Sequence, residues 1–213
     1  MTSQPKPIVI AGLSLVLAAC GGEPIRNAAT AAPTASGPAA ALPSSMPAPA
    51  EVPSAKHEPN EGAALLALLP MAKLELTQGI ALAEVQGARA LSAKFELEDG
   101  KLSLSVYTAK KGIELDAEHN VLAELTGDPT QTPWQPKEEV FADAKHLTRA
   151  SYHLTLVQRS KLTLATVIER ALAQQPGRVY SVEPAIRERS PIFHVLIATS
   201  GGERINVDVE SGA

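Results

Sequence analysis

From residue 161 to the C-terminus the chain shows two hydrophobic periods in succession. Leu164, Ile168, Ala171 and Leu172 fall at helical spacing, which predicts an amphipathic helix with one buried stripe. Three alternating runs follow at 179–186, 193–198 and 204–209, each predicting a strand with one buried face. The same order stands 88 residues earlier, where Lys73-Leu-Glu-Leu matches Lys161-Leu-Thr-Leu. A helical stretch over 76–85 comes next. Ala93, Phe95 and Leu97 then alternate before Asp99-Gly100, and Leu102, Leu104 and Val106 alternate after it. Asp-Gly between two such runs is a strong hairpin signal. A turn at Lys110-Lys111-Gly112 leads to a third short run, Ile113 to Leu115. The copies close on Asp116-Ala-Glu-His-Asn120 and Asp208-Val-Glu-Ser-Gly212, the second copy being about four residues longer. Recurrence in a fixed order predicts a tandem repeat. The expected fold class is α+β: two units, each a helix plus a three-stranded antiparallel sheet.

The pattern ahead of each copy is also helical. Ala63 to Met71 is apolar and should end or kink at Pro70. Lys137 to Arg159 carries Val140, Ala144, Leu147, Ser151, Leu154 and Val157 near helical spacing. Thr126 to Pro136 reads as a linker by its prolines and polar residues, with Trp134 packing it against a neighbouring unit. These features divide the folded region into unit one over 61–128, a linker and connecting helix over 129–160, and unit two over 161–213. Two residues conflict with their elements. Gly79 should cost its helix about 1 kcal/mol against alanine, and Pro184 should place its strand at an edge or force a bulge.

The first sixty residues lack both periods. Ile8 to Ala19 is a twelve-residue apolar run behind a single basic residue, Lys6. As a helix it would rise about 18 Å, short of the ~30 Å hydrocarbon layer, so residues 1–19 read as a signal peptide. The run ends Leu17-Ala18-Ala19-Cys20-Gly21, which resembles the lipobox of bacterial lipoproteins. That resemblance implies cleavage between Ala19 and Cys20 and acylation of the Cys20 thiol. Cys20 is the only cysteine in 213 residues, and a leftover thiol in an exported protein otherwise needs explaining. Residues 20–60 are rich in Ala, Pro, Ser and Thr, with eight prolines from Gly21 to Asn60. Such a segment buries too little apolar surface to order itself and reads as a disordered tether.

Charge and composition exclude several functions. A net charge of −4 from 19 basic and 23 acidic side chains gives no footprint for nucleic acid. No catalytic motif, phosphate loop or Cys–His pair is present, so no catalytic residue, metal or cofactor is expected. His146 and His153 lie seven apart on the connecting helix, with Asp143 one turn before. A closed metal site wants four ligands, so these read as solvated helix residues. His119 is assigned to a turn and His194 to a strand surface. Asp116 and Asp208 recur at the ends of the copies, where an aspartate can accept from nearby backbone N–H groups. Asn120 and Gly212 suit the left-handed conformation that such a turn requires. All four residues are expected to be structural.

Each copy resembles the PepSY domain, the helix-plus-three-strand unit of thermolysin-type propeptides and of many bacterial envelope proteins. Leu162-Thr163-Leu164 and the Asp208-to-Gly212 ending carry the likeness in copy two. Copy one departs from it, with Glu75 at the Ser/Thr cap position and Gly79 in place of a helix alanine. The resemblance covers about half of the chain and implies a non-catalytic protein-binding module with peptidases as candidate partners. The lipobox implies a membrane anchor in the cell envelope. Gly21 after the cysteine resembles the pattern for the periplasmic face of the outer membrane. The alternative is a structural envelope lipoprotein with no protease partner.

Overall fold

The computed structural model describes residues 59–212; the signal segment, Ala19, Cys20 and the tether up to residue 58 lie outside them. Copy one supplies α1 (Pro59–Leu68), α2 (Leu76–Ala83), β1 (Arg89–Glu98), β2 (Lys101–Ala109) and β3 (Leu122–Gly127). There follow β4 (Lys137–Val140) and α3 (Ala144–Ser160). Copy two then supplies α4 (Leu164–Gln174), β5 (Arg178–Arg187), β6 (Ser190–Ala198) and β7 (Arg204–Glu210). The strands form one antiparallel sheet in the order β4-β3-β2-β1-β5-β6-β7, so the class is α+β, and one sheet runs through both stretches read as copies.

The two halves correspond closely. β1 and β5 bury positions in nearly the same sequence, and each carries a bulge, at Leu91 and at Tyr180, 89 residues apart. Ala93 pairs with Val182, which is its own counterpart at that spacing. A local two-fold axis therefore passes through this pair. Both hairpins turn on two left-handed residues, Asp99 and Gly100 in one and Glu188 and Arg189 in the other. That is the conformation favoured between twisted strands. The first pair is the residue type for it, and the second holds it without glycine.

Alternation separates the sheet into two faces. Phe95, Leu104, Val106, Phe193, Val195 and Ile197 are buried on the face covered by α2 and α4. Thr163 caps α4, its Oγ1 accepting from Thr166 N at 3.1 Å. At the start of α2, Gln78 Oε1 instead reaches back to accept from Glu75 N at 2.7 Å. α3 lies on the opposite face, where its His153 and Arg149 meet Ser92, Tyr107 and Glu183.

Four expectations are corrected. Ile113–Leu115 is not a strand, because residues 110–121 form a loop pinned by Asn120. Its Oδ1 accepts from Lys111 N and Val121 N, and its Nδ2 donates to Gly112 O. The carbonyls of Ile113 and Leu115 accept from Gln158 Nε2 of α3 rather than from a ladder, and the third strand forms later as β3. The helix expected from Lys137 begins only at Ala144. Asp143 accepts from Lys145 N and His146 N as its N-cap, while residues 137–140 pair with β3. Pro184 lies in a strand between two others, not at an edge, and the bulge is at Tyr180. Its missing N–H is tolerated because the β1–β5 ladder ends at Val182. Trp134 is buried against Gly127, as a packed linker requires.

Gly79 is the fourth correction. A Cβ there would meet Leu104 Cδ2 at 2.3 Å, and Leu104 is fully buried. Glycine lets α2 lie close against β2, so the residue serves packing and is not a flaw in the helix. Gly79→Ala gains about 1 kcal/mol of helix propensity but overpacks the core by about 1–3 kcal/mol. The net expectation is destabilisation, read from urea unfolding. Adding Leu104→Val should recover part of that loss, so that the two changes together cost less than their sum. A stabilised Gly79→Ala protein would show that the contact does not constrain α2.

Candidate functional site

The face carrying α3 is polar because the outward positions of neighbouring strands coincide. Ser92, Lys94 and Glu96 of β1 stand opposite Tyr107, Ser105 and Ser103 of β2. Glu124 and Thr126 of β3 continue the row, and Glu139 and Lys137 of β4 complete it. On the other side of the seam come Glu183 of β5, His194 of β6 and Asp208 of β7.

α3 crosses the middle of this face and brings two side chains, one turn apart, onto the seam. His153 is 2% exposed. Its Nδ1 lies 3.1 Å from Ser92 Oγ on β1, and its Nε2 lies 3.2 Å from Glu183 Oε1 on β5. Arg149 Nη2 donates to the same Glu183 oxygen at 2.7 Å, with the guanidinium 5.9 Å from the centre of the Tyr107 ring. Burial pushes the Glu183 carboxyl up, but the His153 hydrogen bond and the Arg149 charge outweigh it and hold the group at about 2. Burial also pushes the Tyr107 phenol up to about 12, helped by Glu124. The Ser92–His153–Glu183 order is that of a hydrolytic relay, but the cavity beside Ser92 holds only about 10 Å³. That is room for at most one water. The cluster is a polar tie between two strands, buried at His153 and partly exposed at Ser92, Arg149 and Glu183.

Beside α3, over the copy-one half, the polar face stays open as a groove of about 950 Å³. Lys94, Glu96, Glu124, Lys137 and Glu139 form its floor, and Lys145, His146 and Arg149 rise along the α3 side. Charges of both signs alternate there, and Ser105 Oγ donates to Glu124.

The predicted site residues fall in separate places. Asp116 is exposed in the 110–121 loop, its Oδ1 accepting from His119 N at 3.0 Å and lying 2.7 Å from His119 Nδ1. Asp208 sits inside β7, where it meets Arg187, His194 Nδ1 and Asn206 Nδ2. The two aspartates are therefore not equivalent, and Asp208 makes no turn. Gly212 has the expected left-handed backbone, with φ of +72°. Asn120 acts through its side chain instead. His146 stays with the cap, 2.6 Å from Asp143 Oδ2, while His153 turns into the seam, so the two histidines share no site. Among the described residues no group of three metal-ligating side chains comes together. Ser92, Arg149 and Glu183 were not anticipated, because they lie on different elements. The available signal was the i, i+4 pair Arg149 and His153, bordered by the apolar Ala150, Leu154 and Val157.

Fold and site together define an α+β protein whose single antiparallel sheet has helices on both faces and one open polar half. No protein family model matches the chain, and no curated protein does. Among solved structures it is similar to the crystal structure of a "putative lipoprotein (CD1622)" from Clostridium difficile 630. The identity is 17%, over 66% of this chain and 88% of that one, with a TM-score of 0.35.

Burial holds His153 below the ordinary imidazole value, against the opposing Glu183 hydrogen bond. The unfolded chain takes up this proton near pH 6.5. The neutral imidazole's stabilisation is therefore complete above that pH and is lost as the pH falls below it toward the lower folded value. His194, lowered by burial and by Arg187, acts in the same direction. The urea midpoint is expected to fall from about pH 7 to about pH 5. His153→Gln should be less stable at neutral pH but show a shallower fall. Parallel profiles for the two proteins would remove His153 from the account.

Proposed function

We propose that this protein is a lipid-anchored cell-envelope lipoprotein whose folded region is a non-catalytic protein-binding module. In this reading two PepSY-like units stand behind a signal peptide ending at Ala19, an acylated Cys20 and a disordered tether. They face the periplasm from the outer membrane. The observation that carries the binding role is the groove of about 950 Å³ on the polar face. Small-molecule sites are mostly apolar and enclosed. This surface is open, carries charges of both signs along its floor and the apolar Leu68, Met71, Leu97 and Leu102 at one end, a mixture that suits a polypeptide segment. The PepSY likeness names peptidases as the first partners to test. The confined space at Ser92 favours a non-catalytic role.

Two measurements test the parts separately. Cys20→Ala is expected to accumulate as unprocessed precursor and to incorporate no labelled fatty acid. Cleavage and acylation of that variant would end the lipoprotein reading. For the groove, a photo-crosslinking residue at Thr126 should trap a discrete envelope protein in intact cells, while one at the exposed Ala165 of α4 should not. Equal trapping at both positions, or none at Thr126, would leave the structural alternative standing.

A further inference from the structure

The two edges of the sheet are built differently. β4 is four residues long, fully exposed, charged at three positions and preceded by Pro136. Those are the features that discourage a strand from pairing with another chain. β7 has seven residues, Arg204-Ile-Asn-Val-Asp-Val-Glu210; it too is charged at three positions, but it is nearly twice as long and has no proline and no lysine. Its ladder with β6 runs without a bulge, and among the described residues no strand pairs with its outer side.

The hydrogen-bond phase of β7 follows from the turn before it. Thr199 N donates to Glu203 O at 2.9 Å, and Ser211 N donates to Pro191 O at 3.4 Å. These bonds direct the odd-numbered residues of β7 toward β6. The N–H and C=O groups of Arg204, Asn206, Asp208 and Glu210 therefore face outward, and Arg170 Nη1 reaches the Glu210 carbonyl there at 3.5 Å.

We propose that β7 is a homodimerisation edge, on which a second copy of this chain pairs antiparallel about a two-fold axis at Val207. In full overlap Asn206 meets Asp208 of the second copy, and Arg204 meets Glu210. Both are pairs of outward-facing residues, so their backbone groups bond reciprocally. The same register sets Ile205 against Val209 and Val207 against itself, on the apolar side. Arg204 and Glu210 are exposed and would form an opposite-charge pair at each end of the new ladder. Sliding by two residues in one direction puts Asp208 against itself; in the other it sets Arg204 against Asp208, which Arg187 and His194 already hold, and leaves Glu210 opposite the turn residue Gly202. Full overlap is thus the register that pairs all seven residues of the strand and sets both terminal charges against opposite ones. That makes the contact isologous and closed, so it gives dimers and not fibres. This inference does not depend on the function proposed above.

The test uses the full chain in detergent micelles. Residues on the axis form a non-hydrogen-bonded pair, with Cα atoms about 4.5 Å apart, within disulfide range. Mild oxidation of Val207→Cys is expected to give a disulfide-linked dimer, while Val140→Cys on β4 stays monomeric. The parent chain measures any dimer made through Cys20. In the chain with Val207 unchanged, since that side chain is part of the core, Arg204→Glu or Glu210→Arg alone turns both end pairs repulsive and should weaken association about tenfold by sedimentation. Mixing the two single variants, or joining both changes in one chain, restores opposite charges at both ends and should restore the dimer. Absence of the Val207 crosslink, equal crosslinking at Val140, or charge reversals without effect or without rescue would each overturn the proposal.

Discussion

The join between β1 and β5 carries the whole arrangement, and its ladder is short. Two residue pairs connect these strands, against nine in each flanking hairpin. So few cross-strand bonds define a register weakly, and a slip by one residue would exchange the faces of an entire half. Side chains on both faces supply what the ladder lacks. On the polar face His153 spans the seam from Ser92 to Glu183, and Arg149 holds the same carboxylate. On the helical side Arg178, at the start of β5, donates to the carbonyls of Leu69, Ala72 and Leu74 in copy one. It also lies 3.3 Å from Glu75.

These ties act through geometry more than through net energy. Desolvating Arg149 and Glu183 offsets much of their attraction, so the intact pair adds little stability over a well-packed apolar substitute. Removing one member would leave the other charge half-buried and uncompensated, which is far more costly. A shifted register would do the same, by carrying Glu183 away from Arg149 and Ser92 away from His153. The polar cluster therefore penalises wrong alignments of the two halves, a task that alternating Val and Ala on the opposite face cannot perform alone.

How much of this was legible follows from how far apart the partners lie in the chain. The alternating runs, the Asp99-Gly100 hairpin and the Thr163 cap are local, and the chain forms them where the pattern places them. The loop at 110–121 was misread because Asn120 resembles Gly212 as a left-handed residue, whereas it works through its side-chain hydrogen bonds. Residues 137–143 share an apolar spacing with the helix beyond, and the decision belonged to Asp143, whose capping role depends on where β4 pairs. His153 could not be recognised as buried, since its partners stand 61 residues before it and 30 after it on strands whose polar positions look solvated. Gly79 shows the same limit from the apolar side. Helix propensity marks it as a defect, and only Leu104, brought across by the fold, shows why no larger residue fits.

The local two-fold axis at Ala93 and Val182 also bears on how the outer strands relate. A dyad perpendicular to an antiparallel sheet exchanges its two ends while leaving each face on its own side. β3 and β7, the third strands of the two copies, would accordingly be equivalent, and each would be an edge if nothing followed it. Copy one adds β4 to β3, ending that side of the sheet in a short charged strand after a proline-rich turn. β7 has no strand on its outer side among the described residues. Among the described residues the asymmetry between the edges thus rests on β4, which covers β3 and has no counterpart beside β7. A second copy added at β7 by another perpendicular dyad would keep both polar grooves on the same side of the enlarged sheet, leaving each open to a partner.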